Sequence, residues 1–366
     1  MLIKDITNHL ESIAPLALQE NYDNCGLLVG NANDECFAAL LTLDCTEEII
    51  DEAIAIGANL VIAHHPIIFG GIKKLNGKNY VERTIIKAIK NNIAIYAAHT
   101  NYDNINNGVN EMICNKIGLT NCKILVPKPQ TLQKLITYCP VNNAEMVRTS
   151  LFAAGAGNIG NYSNCSFSSE GYGTYMANEN ANPTAGEIGK LHTEKEVKIE
   201  VIFPFYSEQK IVEALVKSHP YEEVAYDIIS ISNTSNLFGS GMLGVLENEL
   251  SEHDFLKQLK LTFGLQAIKH TNLLNKKIKT VAVCGGSGSF LLGHAIAANA
   301  DVYVSSDFKY HEYFNAENKI VIADIGHFET EQFTPQIFYN HIIKKFSTFA
   351  THLSKVNTNP IKYFNG

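Results

Sequence analysis

The sequence predicts an α/β protein whose sheet domain is interrupted by a smaller domain. Apolar strand segments alternate with amphipathic helical segments up to about residue 131, and the alternation resumes at about residue 234. This alternation is typical of a largely parallel sheet covered by helices. Residues 132–233 instead follow the order βαββαβ, which indicates a separate α+β unit. We therefore expect a discontinuous domain, residues 1–131 and 234–366, and an inserted domain, residues 132–233.

Composition sets broad limits on function. The chain has 366 residues, of which 46% are hydrophobic and 18% charged, as is usual for soluble globular proteins. Its net charge of -8 argues against a general nucleic-acid-binding protein, because such proteins are usually basic. The eight cysteines form no CxxC pair, and the first residues do not resemble a signal peptide. These two features favour a reducing, cytoplasmic context. No apolar run approaches about 18 residues, so no membrane span is expected.

The first flank alternates helices and strands. Residues 3–13 carry apolar side chains at helical spacing, and Thr46 is an N-cap residue followed by two acids. Gly57 and Gly118 end the helices that precede them. The predicted helices span 3–13, 46–56, 79–90 and 109–117. The predicted strands are the apolar end of 21–30, then 37–43, 60–63 and 93–98.

The insert and the second flank differ in their patterns. In the insert, the predicted strands are 135–139, 163–177, 197–203 and 224–231, with helices at 145–153 and 208–218. This order is typical of a ferredoxin-like domain. In the second flank, strands are predicted at 242–246, 279–284, 301–304 and 319–323, and helices at 253–263, 290–298 and about 329–346. The two flanks are expected to form one sheet.

Polar residues stand at the ends of four predicted strands. They are His64 with His65, His99 with Asp103, Asp307 with His311, and His327 with Glu331. Because loops at the carboxyl ends of parallel strands converge in open α/β sheets, these clusters can meet although they are distant in sequence. If a helix begins near His327, then His327 and Glu331 lie on one face of it.

Three histidines and two carboxylates form a ligand set that suits zinc, manganese or iron. The adjacent pair His64-His65 also allows two metal ions that share a carboxylate. Simpler interpretations exist for some members: Asp103 is equally suited to capping a turn, and His327 with Glu331 to an exposed helix start. Four of the histidines outside these clusters, at 219, 253, 270 and 294, are interpreted as surface or capping residues.

A glycine-rich segment, GGSGS at 285–289, follows a predicted strand and precedes a predicted helix. Such a turn can present backbone N–H groups to an anion. It has no Walker lysine, and Leu291 occupies the position of the third glycine in the dinucleotide fingerprint. A turn without a ligand and a phosphate cradle are therefore equally favoured.

Taken together, six segments resemble the GTP cyclohydrolase 1 type 2 family, also called the Nif-three-like family. They are YDNCGLLVG (22–30), IAHHPIIFGG (62–71), AAHTNYD (97–103), VAVCGGSGSF (281–290), SSDFKYHE (305–312) and ADIGHFETE (323–331). Their order and spacing match from about residue 20 to about residue 345. The fold that this resemblance implies is a Nif-three-like α/β/α sheet domain. SHPYEEVAYDI (218–228) makes the insert similar to the CutA/PII-like domain of longer bacterial members.

The resemblance implies two divalent metal ions per subunit, zinc being the first expectation and manganese or iron the others. By position, the ligands are His64, His65, Asp103, His327 and Glu331, with Glu331 as the bridging carboxylate. It further implies a toroidal homohexamer. This chain departs from the family in having Tyr22 where tryptophan is common, Ser305-Ser306-Asp307 in place of Thr-Gly-Asp, and Phe328 in place of tyrosine. The second departure is expected to affect substrate fit more than metal binding.

The activity implied by the resemblance is hydrolytic opening of the guanine imidazole ring of GTP, which yields a dihydroneopterin triphosphate precursor. Metal-activated water would attack C8, and His99 or His311 would move protons. Two alternatives remain. One is a metal-dependent phosphoesterase acting on nucleotides, and the other is a non-catalytic metal-binding or regulatory assembly.

Overall fold

The computed structural model of the protein describes residues 1–364. The chain divides into two compact units, one formed by residues 1–127 together with the chain from 236 onward, the other by residues 128–235. The predicted boundaries at 132 and 233 lie a few residues inside these limits. No helix in the described residues has both the length and the apolar composition needed to cross a membrane.

The described residues form α-helices and β-strands throughout both units. The helices are α1 (Ile3–Ile13), α2 (Glu47–Ile56), α3 (Tyr80–Lys90), α4 (Thr100–Asp103), α5 (Val109–Ile117), α6 (Ala144–Ala153), α7 (Glu208–Ser218), α8 (Glu252–Phe263), α9 (Leu292–Ala297), α10 (His327–Glu331) and α11 (Thr334–Lys345). The strands are β1 (Gly26–Val29), β2 (Ala38–Thr42), β3 (Leu60–Ala63), β4 (Ala94–Ala97), β5 (Leu119–Pro127), β6 (Leu132–Pro140), β7 (Phe167–Met176), β8 (Leu191–Pro204), β9 (Tyr226–Ser230), β10 (Gly239–Ser251), β11 (Lys269–His270), β12 (Lys277–Ser287), β13 (Val302–Ser306), β14 (Val321–Asp324) and β15 (Ala350–Leu353).

The larger unit contains two sheets, so the prediction of one sheet shared by both flanks is wrong. The first sheet has the order β1-β4-β3-β2-β15, and the second has the order β11-β14-β13-β12-β10-β5. The neighbouring strands from β15 to β4 are parallel, as are β12, β13 and β14. Helix–strand alternation indicates parallel pairing but does not say which strands pair, so it does not distinguish two sheets from one.

Each sheet is formed mainly by one flank of the chain and includes one strand from the other flank. β15, near the carboxyl end, pairs in parallel with β2 of the first sheet. β5, which precedes the insert, pairs antiparallel with β10 of the second sheet. Neither β5 nor β15 was predicted, because β5 alternates polar and apolar residues irregularly and β15 is short and largely exposed. These exchanges tie the two flanks into one unit.

The inserted unit has the predicted order βαββαβ. Its strands form an antiparallel sheet in the order β7-β8-β6-β9. Helices α6 and α7 contribute Val147, Leu151, Ile211 and Leu215 to a core that also contains alternate residues of β8. β8 begins at Leu191, before the predicted strand at residue 197. Residues 192–196 are polar or charged, so this part of the strand gives no apolar signal in the sequence. The order and pairing are those of a ferredoxin-like α+β unit.

The helix predicted at 329–346 is two helices. α10 ends at Glu331, and α11 begins at Thr334 with Pro335 in its first turn. Proline is tolerated there because its missing N–H has no partner in a first turn, whereas in a helix interior it breaks the hydrogen-bond ladder. The early start of α10 places His327 and Glu331 four residues apart on one short helix.

We expect the larger unit to fold without the insert. Pro127 and Gly239 are opposite each other in the β5–β10 ladder, so the two ends of the excised segment lie close together. Replacement of residues 128–235 by a Gly/Ser linker of about six residues should therefore preserve cooperative thermal unfolding and metal binding. Circular dichroism and metal analysis of the deletion variant measure both.

The separately expressed fragment 128–235 is the complementary control, because it has its own hydrophobic core. It should give a dispersed ¹H–¹⁵N NMR spectrum. A deletion variant that is soluble but lacks a cooperative transition would contradict the independence of the larger unit.

Candidate metal centre

The candidate site lies where strand ends of the two sheets of the larger unit meet. β3 ends immediately before His64, and β4 leads through His99 into the short helix that contains Asp103. From the second sheet, β14 leads into α10, which supplies His327 and Glu331. All five predicted metal ligands are thus close together.

Glu331 is the centre of this arrangement. Its Oε2 lies 3.0 Å from Nε2 of His65 and 3.1 Å from Nε2 of His327. Its Oε1 lies 3.7 Å from Nε2 of His64. Two possible ligand sets therefore share one carboxylate: His65, His327 and Glu331 on one side, and His64, Asp103 and Glu331 on the other. In each set the ligand atoms all lie within 4.8 Å of one another.

All four histidines at the centre make the same type of contact through Nδ1. In each, Nδ1 contacts an oxygen: Ala98 O at 2.8 Å for His64, Asp44 Oδ1 at 2.7 Å for His65, Asp23 Oδ1 at 2.9 Å for His99, and Asp307 Oδ2 at 2.6 Å for His327. A histidine that donates its Nδ1–H to an oxygen presents its Nε2 lone pair elsewhere. Such outer hydrogen bonds are typical of metal-binding histidines, because they fix the ring and its tautomer.

Two buried polar atoms test whether a metal fits the site. Nε2 of His64 and Oδ1 of Asp103 are buried and have no hydrogen-bond partner among residues 1–364. They lie 3.7 Å apart, and the whole His64 side chain is excluded from solvent. Buried polar groups without a partner are rare and costly. A cation between these atoms would satisfy both, so the residues fit a metal ion.

The pKa values of the two buried carboxylates are shifted in opposite directions. For Glu331, burial raises the pKa, but the hydrogen bond from His327 and the contacts with His64 and His65 outweigh burial and hold the pKa well below its usual range. Asp103 has no such hydrogen bond, so burial and the neighbouring Glu331 raise its pKa well above the usual range. In the metal-free protein, negative charge is therefore favoured on Glu331 and disfavoured on Asp103.

The histidines are divided in a similar way. Burial lowers the pKa of His64 to about 4, so this imidazole is neutral at pH 7. Burial also disfavours charge on the other two, but the hydrogen bonds from His65 to Asp44 and Glu331 raise its pKa to about 9. Hydrogen bonds to Asp307 and Glu331 raise the pKa of His327 to about 11. The metal-free centre thus keeps its buried anion beside two imidazolium cations.

The glycine-rich segment makes room for Glu331. Gly286 has φ +59, and a Cβ at this position would lie 2.3 Å from Oε1 of Glu331. Its N–H donates to the hydroxyl of Thr330, which lies beside Glu331 on α10. Ser306 is buried, and its hydroxyl donates to the carbonyl of Gly286. Gly286 and Ser306 therefore support the carboxylate position.

The two residues predicted to move protons are placed differently. His99 lines the cavity in front of the metal ligands and is held by Asp23. His311 is exposed in a short 3-10 turn, 310–316, where its ring packs against Tyr310 and Phe314. His311 is not among the described residues that line the cavity. The structure thus brings His99, but not His311, to the predicted centre.

Asp23 and Asp44 were not assigned a role from the sequence. Each accepts a hydrogen bond from one histidine of the centre, and the pKa of each carboxyl is lowered because that hydrogen bond outweighs burial. Asp44 directly follows a predicted strand, and Asp23 lies in the segment YDNCGLLVG (22–30), so the positions of both residues indicated a role. The sequence spacing could not show which histidine each would contact.

The cavity that opens onto the centre has a volume of about 810 Å³. Four aromatic side chains contribute to its walls and remain largely exposed: Tyr22, Phe69, Tyr80 and Phe290. The described lining residues include no lysine or arginine. Lys73 and Lys74 instead line a neighbouring shallow cavity that shares Phe69 and Tyr80 with the first.

The chain is similar over most of its length to proteins that share one name. The family profile for Duf34/NIF3 (NGG1p interacting factor 3) matches residues 1–360. A Halalkalibacterium halodurans protein named GTP cyclohydrolase 1 type 2 homolog is 40% identical over 319 residues, covering 87% of this chain and 86% of its own length. The Bacillus subtilis protein of that name is 36% identical over 370 residues, covering 98% of both chains.

Solved structures agree with this relationship. The crystal structure of a Bacillus cereus protein related to NIF3 superposes with a TM-score of 0.87 at 36% identity, and the match covers 100% of this chain and 99% of that one. The chain therefore belongs to the Duf34/NIF3 family, whose curated members include proteins named GTP cyclohydrolase 1 type 2 homolog.

Proposed function

We propose that this protein is a dinuclear metal-dependent hydrolase acting on a nucleotide-like substrate, with GTP as the named candidate. The observation that carries the proposal is the shared carboxylate of Glu331 between two ligand sets. The buried, unpartnered His64 Nε2 and Asp103 Oδ1 complete the second set. The names of the curated relatives suggest the substrate.

His65, His327 and Glu331 would hold one ion, and His64, Asp103 and Glu331 the other. Imidazole and carboxylate ligands suit zinc first, and also manganese or iron. Two bound metal ions would lower the pKa of a water molecule and would stabilise negative charge that develops on the substrate. The fixed Nδ1 contacts of the histidines hold the ligands in place before the ions bind.

His99 is the residue suited to move a proton. Asp23 accepts from its Nδ1, so Nε2 is the nitrogen that can accept and return a proton. Asp23 also accepts hydrogen bonds from the backbone N–H and the hydroxyl of Thr100, and its pKa is lowered. An ionised Asp23 would stabilise the His99 imidazolium that forms when the proton is accepted.

The cavity walls support a planar substrate. Tyr22, Phe69, Tyr80 and Phe290 offer aromatic faces on which a nucleobase can stack. Lys73 and Lys74 on the neighbouring cavity offer positive charge to a phosphate chain that extends beyond the base. In this orientation, water would attack C8 of guanine at the metal centre, and a C–N bond of the imidazole ring would break.

Two structural features implied by the family resemblance belong to the same proposal. One is a toroidal homohexamer, which analytical ultracentrifugation of the full chain tests. The other is a CutA/PII-like role for the inserted unit, which the ferredoxin-like order of its strands supports.

Metal content tests the shared carboxylate. The wild-type protein should bind about two zinc ions per chain, and Glu331→Gln should lose both because both ligand sets contain this residue. Asp103→Asn should lose one. Glu329→Gln, on the same helix but outside both sets, is the matched control and should keep two. Equilibrium dialysis with elemental analysis gives the counts, and two ions retained in Glu331→Gln would rule out a shared carboxylate.

Zinc affinity should increase steeply with pH between about 7 and 9. At pH 7 the metal-free protein keeps protons on His65 and His327, whose pKa values are about 9 and 11, and these residues must lose a proton to bind a metal. The raised pKa of Asp103 acts in the same direction. Each released proton raises the affinity about tenfold per pH unit while its group remains protonated. Calorimetry in buffers of different ionisation enthalpy should detect about two or three protons released.

The dependence should be weaker in Asp307→Asn, because the hydrogen bond to Asp307 contributes to the raised pKa of His327. A zinc affinity that is constant between pH 7 and 9 would show that these histidines are not protonated in the metal-free protein.

The activity itself is tested with GTP and the zinc-loaded protein, using mass spectrometry to follow ring-opened products and a separate assay for free phosphate. His99→Gln should reduce turnover about 10²- to 10⁴-fold while keeping both ions, because a positioned base contributes this much. His311→Gln is the matched control and should retain activity, since His311 lies outside the cavity lining. Phosphate release without ring opening would identify a phosphoesterase instead.

A further inference from the structure

A second cavity, with a volume of about 700 Å³, lies within the inserted unit. It is on the face of the sheet opposite α6 and α7. Along β8, Val197, Ile199 and Val201 belong to the core under the helices, so the alternating Glu196 and Lys198 point to the other face and line the cavity. A cavity of this size is suited to a small organic molecule.

Glycine residues of β7 leave room above that face. Gly171 is paired with Glu196 in the β7–β8 ladder, and Gly173 is paired with Glu194. Residues opposite each other in an antiparallel ladder point to the same face, so a side chain at either glycine would occupy the cavity. A Cβ at Gly173 would lie 2.1 Å from Oε2 of Glu196. The glycine strip therefore makes space for the Glu196 carboxylate.

Glu196 is a buried carboxylate with few partners. The residue is only 8% exposed, and its Oε1 accepts a hydrogen bond of 2.9 Å from the hydroxyl of Tyr221. No other residue in 1–364 makes a hydrogen bond or ion pair with this carboxylate. A carboxylate can accept about four hydrogen bonds, and burying it without compensation costs free energy. Oε2 thus retains acceptor capacity at the cavity.

The walls of the cavity are aromatic and fixed in place. The rings of Tyr175 and Tyr221 have centroids 5.9 Å apart and are inclined by 64°. Tyr175 donates to the carbonyl of Ala185, and Thr184 donates to the carbonyl of Pro220, both at 2.9 Å. These bonds connect the β7–β8 loop with the segment that carries Tyr221, so the wall is fixed on both sides.

The charge around the cavity is negative. Among the lining side chains, Glu170 pairs with Lys195, and Lys198 pairs with Glu200. The carboxylates of Glu196, Glu222 and Glu223 make no ion pair within the described residues. The described groups of three or more close histidine, cysteine or acidic side chains all lie at the metal centre, so this cavity has no comparable metal-ligand set.

We propose that the cavity of the inserted unit binds an organic ammonium cation. Glu196 is its charge partner, and the faces of Tyr175 and Tyr221 contact its alkyl or methyl groups. Ammonium ions are attracted to the faces of tyrosine rings, and one buried carboxylate together with two rings is a suitable environment for them. This binding site is separate from the proposed hydrolase activity, and the result of its test does not depend on the metal centre.

Calorimetry on the full chain tests the proposal with choline and putrescine as probes. The neutral isostere of choline, 3,3-dimethyl-1-butanol, separates charge recognition from apolar binding, and sodium chloride controls for ionic strength. At least one cation should bind with a Kd below about 1 mM, and the neutral isostere should bind at least tenfold more weakly. Shifts of the Gly171 and Gly173 amide NMR signals should locate the bound cation.

Glu196→Gln keeps the side-chain shape and should weaken cation binding at least tenfold. Glu213→Gln, on the exposed side of α7, is the matched control and should have no effect. Tyr221→Leu removes a ring and should weaken binding as well, which provides a second variant if Glu196→Gln impairs folding. The proposal is overturned if neither cation binds up to about 10 mM, if the neutral isostere binds equally well, or if both variants bind like wild type.

Discussion

The larger unit depends on how it accommodates one buried anion, the carboxylate of Glu331, which is only 2% exposed. An isolated carboxylate in such a position would take up a proton, because losing its hydration costs more than a single hydrogen bond returns. Here His65 and His327 lie at hydrogen-bond distance, and Gly286 lets the backbone approach. The anion persists because positive imidazole groups replace water, and metal ions can replace their protons.

The exchange of strands between the two sheets ties together the flanks that supply this anion and its partners. His65 and Glu331 are separated by 266 positions, yet their side chains are 3.0 Å apart. The contact requires the strand ends of both sheets to be held at a fixed distance. β15 joins the first sheet and β5 joins the second, so each flank is anchored in the sheet that the other flank mainly forms. Local helix–strand order does not specify these long-range pairings.

That distinction separates what the sequence predicted from what it did not. The residues following β3 could be recognised because a buried strand, two histidines and a proline are adjacent in the chain. The βαββαβ order of the insert was also readable, since each element has its own apolar period. By contrast, the pairing of Asp44 with His65 and of Asp23 with His99 depends on strands that are distant in sequence. Pro335 marks the break between α10 and α11 in the sequence, but apolar residues continue at helical spacing after it and indicate a single long helix.

The two cavities differ in how they accommodate a buried glutamate. Each contains a buried glutamate placed beside a glycine whose Cβ would collide with it: Glu331 at Gly286, and Glu196 at Gly173. Glu331 has imidazole partners that can carry positive charge, so its site is neutralised internally until protons are exchanged for metal ions. Glu196 has only the hydroxyl of Tyr221, and burial with the nearby carboxylate raises the pKa of that phenol. A neutral hydroxyl does not balance a negative charge, and the proposed ammonium ligand would supply the positive partner that the described residues do not give Glu196.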